Sequence, residues 1–231
     1  MEIGTGWGGF AIHAAKHYGC HVTTTTISKK QFEMASERVR QEGLEKKVEL
    51  LQEDYRSLKG QFDKLVSIEM VEAVGDEYHP EFFRKCSHLL KSDGLALIQA
   101  IVIDDRQYES ARKTVDFIQR YIFPGGCLPS VCVMNDLLRD HTDMKLIHLE
   151  DLTGHYTLTL RHWRRCFFEK LQEVRELGYS EEFIRMWEYY FCYCEGGFEE
   201  HFIGVVHLMA SKPMNRLHIA PSPTISKQSP R

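Results

Sequence analysis

Hydrophobic and polar positions change period several times along the chain. Residues 21–25, "HVTTT", form a short β-branched run. From Lys30 to Glu42 the apolar Phe32, Met34, Ala35 and Val39 fall at helical spacing. Val48–Leu51 and Phe62–Ile68 return to strand character, 81–90 reads as a helix, and "GLALIQAIVI" (94–103) is the strongest candidate for a buried strand. This βαβα order predicts an α/β fold, a doubly wound, mostly parallel sheet with helices on both faces. From 104 to 140 the rhythm breaks around "YIFPGGCLPS", a Pro/Gly turn between two helical stretches, and is read as a helical insertion over one end of the sheet. "MKLIHLEDL" is strand-like again, two aromatic helices are expected at about 156–177 and 180–194, and "HFIGVVHLMAS" gives a final strand. The Pro/Ser-rich tail, 213–231, is expected to be disordered. No internal repeat is present.

Composition narrows the options. A chain of 231 residues with 43% hydrophobic content suits one folded domain, here 1–212. A net charge of −4 gives no electrostatic case for a nucleic-acid partner. Seven cysteines are scattered without a CxxC pair, which points to reduced thiols and a cytoplasmic setting. No apolar run reaches the ~18 residues that cross a bilayer, although contact with a membrane surface stays open. The histidines, including His13, His17, His21, His141 and His148, lack metal-ligand spacing, so no metal is expected.

The stretch "EIGTGWGG" (2–9) reads as a tight turn from a strand into a helix. Glycines there tolerate positive φ and let a ligand approach the backbone. An ordinary βα loop, a dinucleotide site and an S-adenosylmethionine site all fit the turn alone. A dinucleotide site needs an acid at the end of the second strand. That position reads "TTTTIS", whereas "EDY" (53–55) follows the third strand, where methyltransferases of this fold place an adenine-contacting acid.

"EIGTGWGG", "TISKKQ", "EDYR", "FDKLVSIEMVEAVG", "YIFPGGCLPS", "HYTLTLRHW" and "WEYYFCYCEGGF" occur together and in this order. From Glu2 to about Lys212 the protein resembles the cyclopropane-fatty-acyl-phospholipid synthases and the related mycolic-acid cyclopropane synthases. The resemblance implies a seven-stranded sheet of the class I methyltransferase type. It implies transfer of a methyl group from S-adenosylmethionine to a cis double bond of an unsaturated phospholipid acyl chain, closing a cyclopropane. It further implies a bound bicarbonate ion as base and peripheral membrane contact, and it leaves a homodimer open.

Residue by residue, Glu2, Gly4, Gly6 and Gly8 match the methionine end of the cofactor site. Thr26, Ile27 and Gln31 match the ribose segment, and Asp54 and Tyr55 the adenine pocket. Capping of the next helix by 26–28, and a core role for Tyr55, are the alternatives. Glu72 and Tyr156 match the bicarbonate site, where Glu72 would accept the ion's hydroxyl proton; a solvated helix-start carboxylate is its alternative. Cys194 matches a cysteine discussed as catalytic, with simple packing as its alternative. Trp187, Tyr189, Tyr190, Phe191 and Tyr193 read either as core or as an acyl tunnel, with Tyr190 and Phe191 the best tunnel candidates.

Two departures matter. Gln99 in "LIQAI" stands where the family often has histidine, and glutamine cannot carry positive charge. That opens two alternatives: a C-methyltransferase of acyl chains or other lipids that does not close a ring, and a truncated, non-catalytic homologue. Only Met1, Glu2 and Ile3 precede the turn. The protein is therefore expected to be the main part of a longer enzyme, marginally stable without an N-terminal segment that covers the cofactor.

Overall fold

The computed structural model describes residues 1–216. The tail expected from Pro213 therefore lies, from 217 onward, outside the described residues. The elements follow in sequence order. β1 (Glu2–Ile3), α1 (Gly9–Tyr18), β2 (Val22–Thr25), α2 (Lys29–Gln41), β3 (Val48–Leu51) and β4 (Phe62–Ile68) come first. α3 (His79–His88) and β5 (Leu90–Ile103) precede α4 (Tyr108–Ala111), α5 (Phe117–Tyr121) and α6 (Val131–His141). β6 (Lys145–Asp151), α7 (Thr153–Glu169), α8 (Leu171–Glu176), α9 (Glu181–Glu199) and β7 (Ile203–Ser211) complete the fold.

The strand order is β3-β2-β1-β4-β5-β7-β6. β1 to β5 pair in parallel, and β7 runs antiparallel to both β5 and β6. The order reverses between β1 and β4, and a crevice at such a switch point is where open α/β sheets bind ligands. Short as it is, β1 is bonded on both sides, with Glu2 opposite Thr24 and Val66.

The two largest hydrophobic clusters among the described residues pack on the sheet. The larger holds Ile3, Leu65, Phe82, Phe83, Ile98, Met134 and Leu138, and the smaller joins α1 to β2 and β3 through Ala11, Ala15, Val22 and Val48. Of the stretch 104–140, α6 belongs to the larger core, because Met134, Leu137 and Leu138 are apolar at helical spacing and face α3. What stands out from the sheet is the part carrying α4, α5 and the Pro/Gly turn.

Two expected helices differ. The one at 156–177 starts at Thr153 and breaks at Lys170 (φ −104°, ψ 19°), giving α7 and α8. The one at 180–194 runs on through Gly196 and Gly197 to Glu199. A Cβ on Gly197 would lie 3.1 Å from Ile203, so this glycine serves helix–strand packing rather than termination. In α2 Ala35 and Val39 are buried, but Met34 is exposed.

Candidate active site

The turn between β1 and α1 is built from main chain. Gly4, Gly6 and Gly8 take φ values of 99°, 52° and 82°, which disfavour any side chain. Gly8 is the N-cap of α1, and a Cβ there would lie 3.1 Å from Ala35. A Cβ on Gly6 would meet nothing within 4 Å. Behind the turn Glu2 is buried and accepts from Thr24 Oγ1 at 2.6 Å; desolvation pushes its carboxyl up to about 7.

The expected ribose and adenine residues are held among themselves. Thr26 Oγ1 donates to Gln31 Oε1 at 2.7 Å, Ser28 caps α2, and Ile27 is exposed. The Asp54 carboxylate is paired with the Arg56 guanidinium at 2.8 Å, which holds its pKa below the ordinary value. Tyr55 is buried in the larger core with its ring edge-on to Phe82, the place the core alternative gave it.

Across the crevice, the segment after β4 carries two carboxylates. Glu69 Oε2 accepts from the Tyr156 hydroxyl at 2.6 Å and Glu69 Oε1 from Gln99 Nε2 at 2.7 Å. Tyr156 comes from α7 and Gln99 from β5, so one side chain joins three elements. Glu69 sits at φ 50°, an uncommon conformation for a residue with a side chain, and such backbone concentrates at functional sites. Burial and the Glu69 charge keep the Tyr156 phenol protonated, far above its usual range. Glu72 is not a solvated helix-start carboxylate. Its Oε1 accepts from the Ile101 amide at 2.5 Å, while Oε2 is buried with no partner. Desolvation, with a contribution from Glu69, raises its pKa to about 7.

The Pro/Gly turn backs this cluster. Cys127 N donates to the Glu72 carbonyl at 2.7 Å, and a Cβ on Gly126 would stand 3.1 Å from that same oxygen. The glycine lets the turn press against the backbone that carries Glu72.

Cys194 lies on α9 in a cluster with Tyr156, Leu160, Tyr190, Phe191 and Phe198. Burial pushes its thiol up to about 12, and its neighbours are aromatic and apolar side chains, the surroundings of the packing alternative. Trp187, Tyr190 and Phe191 belong to the same cluster, as core residues. Tyr189 and Tyr193 face outward, against Phe117 of α5.

The sequence reading missed Glu69 and His207. His207 Nε2 lies 2.8 Å from Gln99 Oε1. The signal for Glu69 was its position three residues before Glu72, and for His207 its place as the one ionisable residue in "IGVVHLMAS".

A glycine turn at positive φ after the central strand, in a sheet of this order, defines the class I S-adenosylmethionine-dependent methyltransferase fold. The chain belongs to the mycolic acid cyclopropane synthetase family, whose model matches residues 1–208. It is 40% identical over 205 residues to the tuberculostearic acid methyltransferase UfaA1 of Mycobacterium tuberculosis, covering 89% of this chain and 48% of the relative. It is 36% identical over 225 residues to the cyclopropane-fatty-acyl-phospholipid synthase of Escherichia coli, covering 95% and 55%. The protein thus spans about half the length of these curated relatives. Among solved structures it is similar to mycolic acid cyclopropane synthase CmaA1 complexed with SAH and CTAB. That match has a TM-score of 0.84 at 25% identity and covers 92% of this chain and 78% of that one.

The residues fit S-adenosylmethionine, because the space above Gly6 is open for a ligand laid on the turn. They do not fit bicarbonate. The Tyr156 hydroxyl, the Gln99 amide and the Ile101 N–H are the donors an anion would need, and all three already donate to carboxylates of the protein itself. Among the described residues no group of His, Cys, Asp and Glu is placed to hold a metal, and no helix is long and apolar enough to cross a membrane.

Proposed function

We propose that this protein transfers the methyl group of S-adenosylmethionine to a cis double bond of an unsaturated acyl chain in a phospholipid, closing a cyclopropane ring. One observation carries the reading: the segment that bears Glu69 and Glu72 packs against the glycine turn through Met70. A Cβ on Gly4 would lie 3.3 Å from Met70 Cγ, and Met70 directly follows Glu69. That packing brings the segment carrying the proposed base up to the turn on which a methyl donor would lie.

Bound S-adenosylmethionine supplies a methyl already activated by its sulfonium. Gly4, Gly6 and Gly8 would form the floor under it and Thr26, Ile27, Gln31 and Asp54 would lie toward its ribose and adenine, with Glu2 and Tyr55 supporting them from behind. The protein's part in the attack is orientation and exclusion of water. The alkene's π electrons would form the bond to the methyl as the S–CH3 bond breaks, its electrons staying with the departing S-adenosylhomocysteine, and a cation would be left on the neighbouring carbon of the lipid. Ring closure then needs a proton removed from the new methyl, whose C–H electrons make the last C–C bond. Glu69 is the base, with Tyr156 and Gln99 aiming its carboxylate. Glu72 stands beside it, its own carboxyl raised to about 7 chiefly by burial. Exposed Val115, Tyr121 and Phe123, around α5, offer an apolar approach for a lipid at a membrane surface.

A second reading follows from the same cluster. Where the cation rearranges before the proton leaves, the product is an open-chain methylene branch. The carboxylate at the anion position and the 40% identity to a tuberculostearic acid methyltransferase favour keeping it in view.

The test is expression in a host that lacks its own cyclopropanation, followed by mass spectrometry and proton NMR of its phospholipids. A gain of one CH2 with cyclopropane proton signals is expected. The same gain with vinylidene signals selects the second reading, and no gain overturns both.

A further inference from the structure

We propose that His207 is a positioning residue that locks the Gln99 side chain so that its amide N–H serves Glu69. The proposal rests on the reading of Glu69 as base. The register across three strands makes the arrangement possible. Gln99 on β5 stands opposite His207 on β7, and His207 stands opposite Glu150 on β6, so the three side chains form a row across the sheet.

The hydrogen-bond logic leaves one assignment. A carboxylate only accepts, so the Gln99 group 2.7 Å from Glu69 Oε1 is the NH2. The Gln99 carbonyl therefore faces His207, and His207 Nε2, at 2.8 Å, must carry the hydrogen. Without that donor the amide could turn over. Its carbonyl would then point at the Glu69 carboxylate, two acceptors facing each other, and Glu69 would keep only its bond from Tyr156. The Glu150 carboxylate, 3.8 Å from Nδ1, lies beyond hydrogen-bond reach of the other ring nitrogen. Glutamine at position 99 thus works with a histidine one strand away. The side chain that touches Glu69 is neutral, and the ionisable ring stands behind it.

This role differs from a structural one in what it moves. His207 is half-buried, touches neither the glycine turn nor the carboxylates, and acts on Glu69 only through Gln99. Its loss should lower kcat and leave KM and cofactor affinity alone. Removal of groups that orient a reactive side chain from behind costs on the order of 10- to 100-fold where such partners have been measured, at metal ligands.

The experiment compares the wild-type protein, His207→Leu and His207→Gln. It measures kcat and KM on vesicles of an unsaturated phospholipid, and binding of S-adenosylhomocysteine by calorimetry. His207→Leu is expected to lose about 10-fold or more in kcat with KM and cofactor affinity unmoved. His207→Gln, which still offers an N–H to Gln99, is expected to recover most of that loss. Gln99→Leu with His207→Leu should be no worse than Gln99→Leu alone, because the two act as one unit. An unchanged kcat in His207→Leu, or equal losses in both variants, overturns the proposal. Glu69→Gln run beside them separates the two claims. If Glu69→Gln keeps full turnover the base reading has failed. If Glu69→Gln loses it while His207→Leu does not, only the role of His207 has failed.

Discussion

On the β1 side of the crevice the groups that matter are main chain: Gly4, Gly6 and Gly8 at positive φ, all within five consecutive residues. On the β4 side they are side chains, and they come from far apart. Tyr156 lies 87 residues from Glu69, and His207 lies 108 from Gln99. The first side presents a surface that any ligand of the right shape can approach closely. The second presents a charge fixed by donors from separate elements, which is what acid–base chemistry needs. A backbone site can be damaged only by adding atoms, and a side-chain network only by removing or exchanging them.

That difference can be broken first on the side-chain half. Glu69→Gln is expected to lose on the order of 10²- to 10⁴-fold in turnover, with S-adenosylhomocysteine affinity unchanged by calorimetry. Equal loss of affinity and turnover would make Glu69 part of the cofactor floor and dissolve the contrast.

The matching test on the backbone half is Gly6→Val. The open space above Gly6 would be filled, and a β-branched residue would be forced to a φ of 52°. Such strain costs roughly 1–3 kcal/mol, and with the lost contact a fall of about 100-fold in cofactor affinity is expected. Calorimetric titration reads it directly, and undiminished binding would remove the turn from the site.

A third test uses pH. The Glu72 carboxyl is raised from an ordinary 4.5 to about 7, so the folded state binds that proton more tightly than the unfolded state. Its contribution to stability is therefore fully present below about pH 4.5 and is lost as pH rises through about 7. The span corresponds to at most ~3 kcal/mol. Glu72→Gln mimics the protonated form and keeps an acceptor for Ile101. It should melt higher than the parent at pH 8 and alike at pH 4.5, by calorimetric scans. A pH-independent difference would mean that Glu72 is not held near neutrality by burial.

The smallest effect belongs to Cys194. With its thiol at about 12 and its neighbours aromatic, Cys194→Ala should change turnover by only a few-fold, through the small cavity left behind. A loss as deep as that of Glu69→Gln would assign the sulfur a chemical role that its surroundings do not support.

The sequence by itself determined the glycine turn, the strands Val48–Leu51 and Phe62–Ile68, and the family. Each of these is written in neighbouring residues: a positive-φ turn needs glycines at fixed places, and a strand needs a short apolar run. It also singled out Glu72, Gln99 and Tyr156 through local motifs. Only the tertiary structure decided what those three do together. Whether an anion or a carboxylate meets Tyr156 depends on Glu69, whose left-handed backbone turns its side chain between α7 and β5. Whether Gln99 stands alone depends on the antiparallel register that sets His207 opposite it. A register between strands a hundred residues apart is fixed by how whole hydrophobic faces fit, not by the residues at either end of the hydrogen bond.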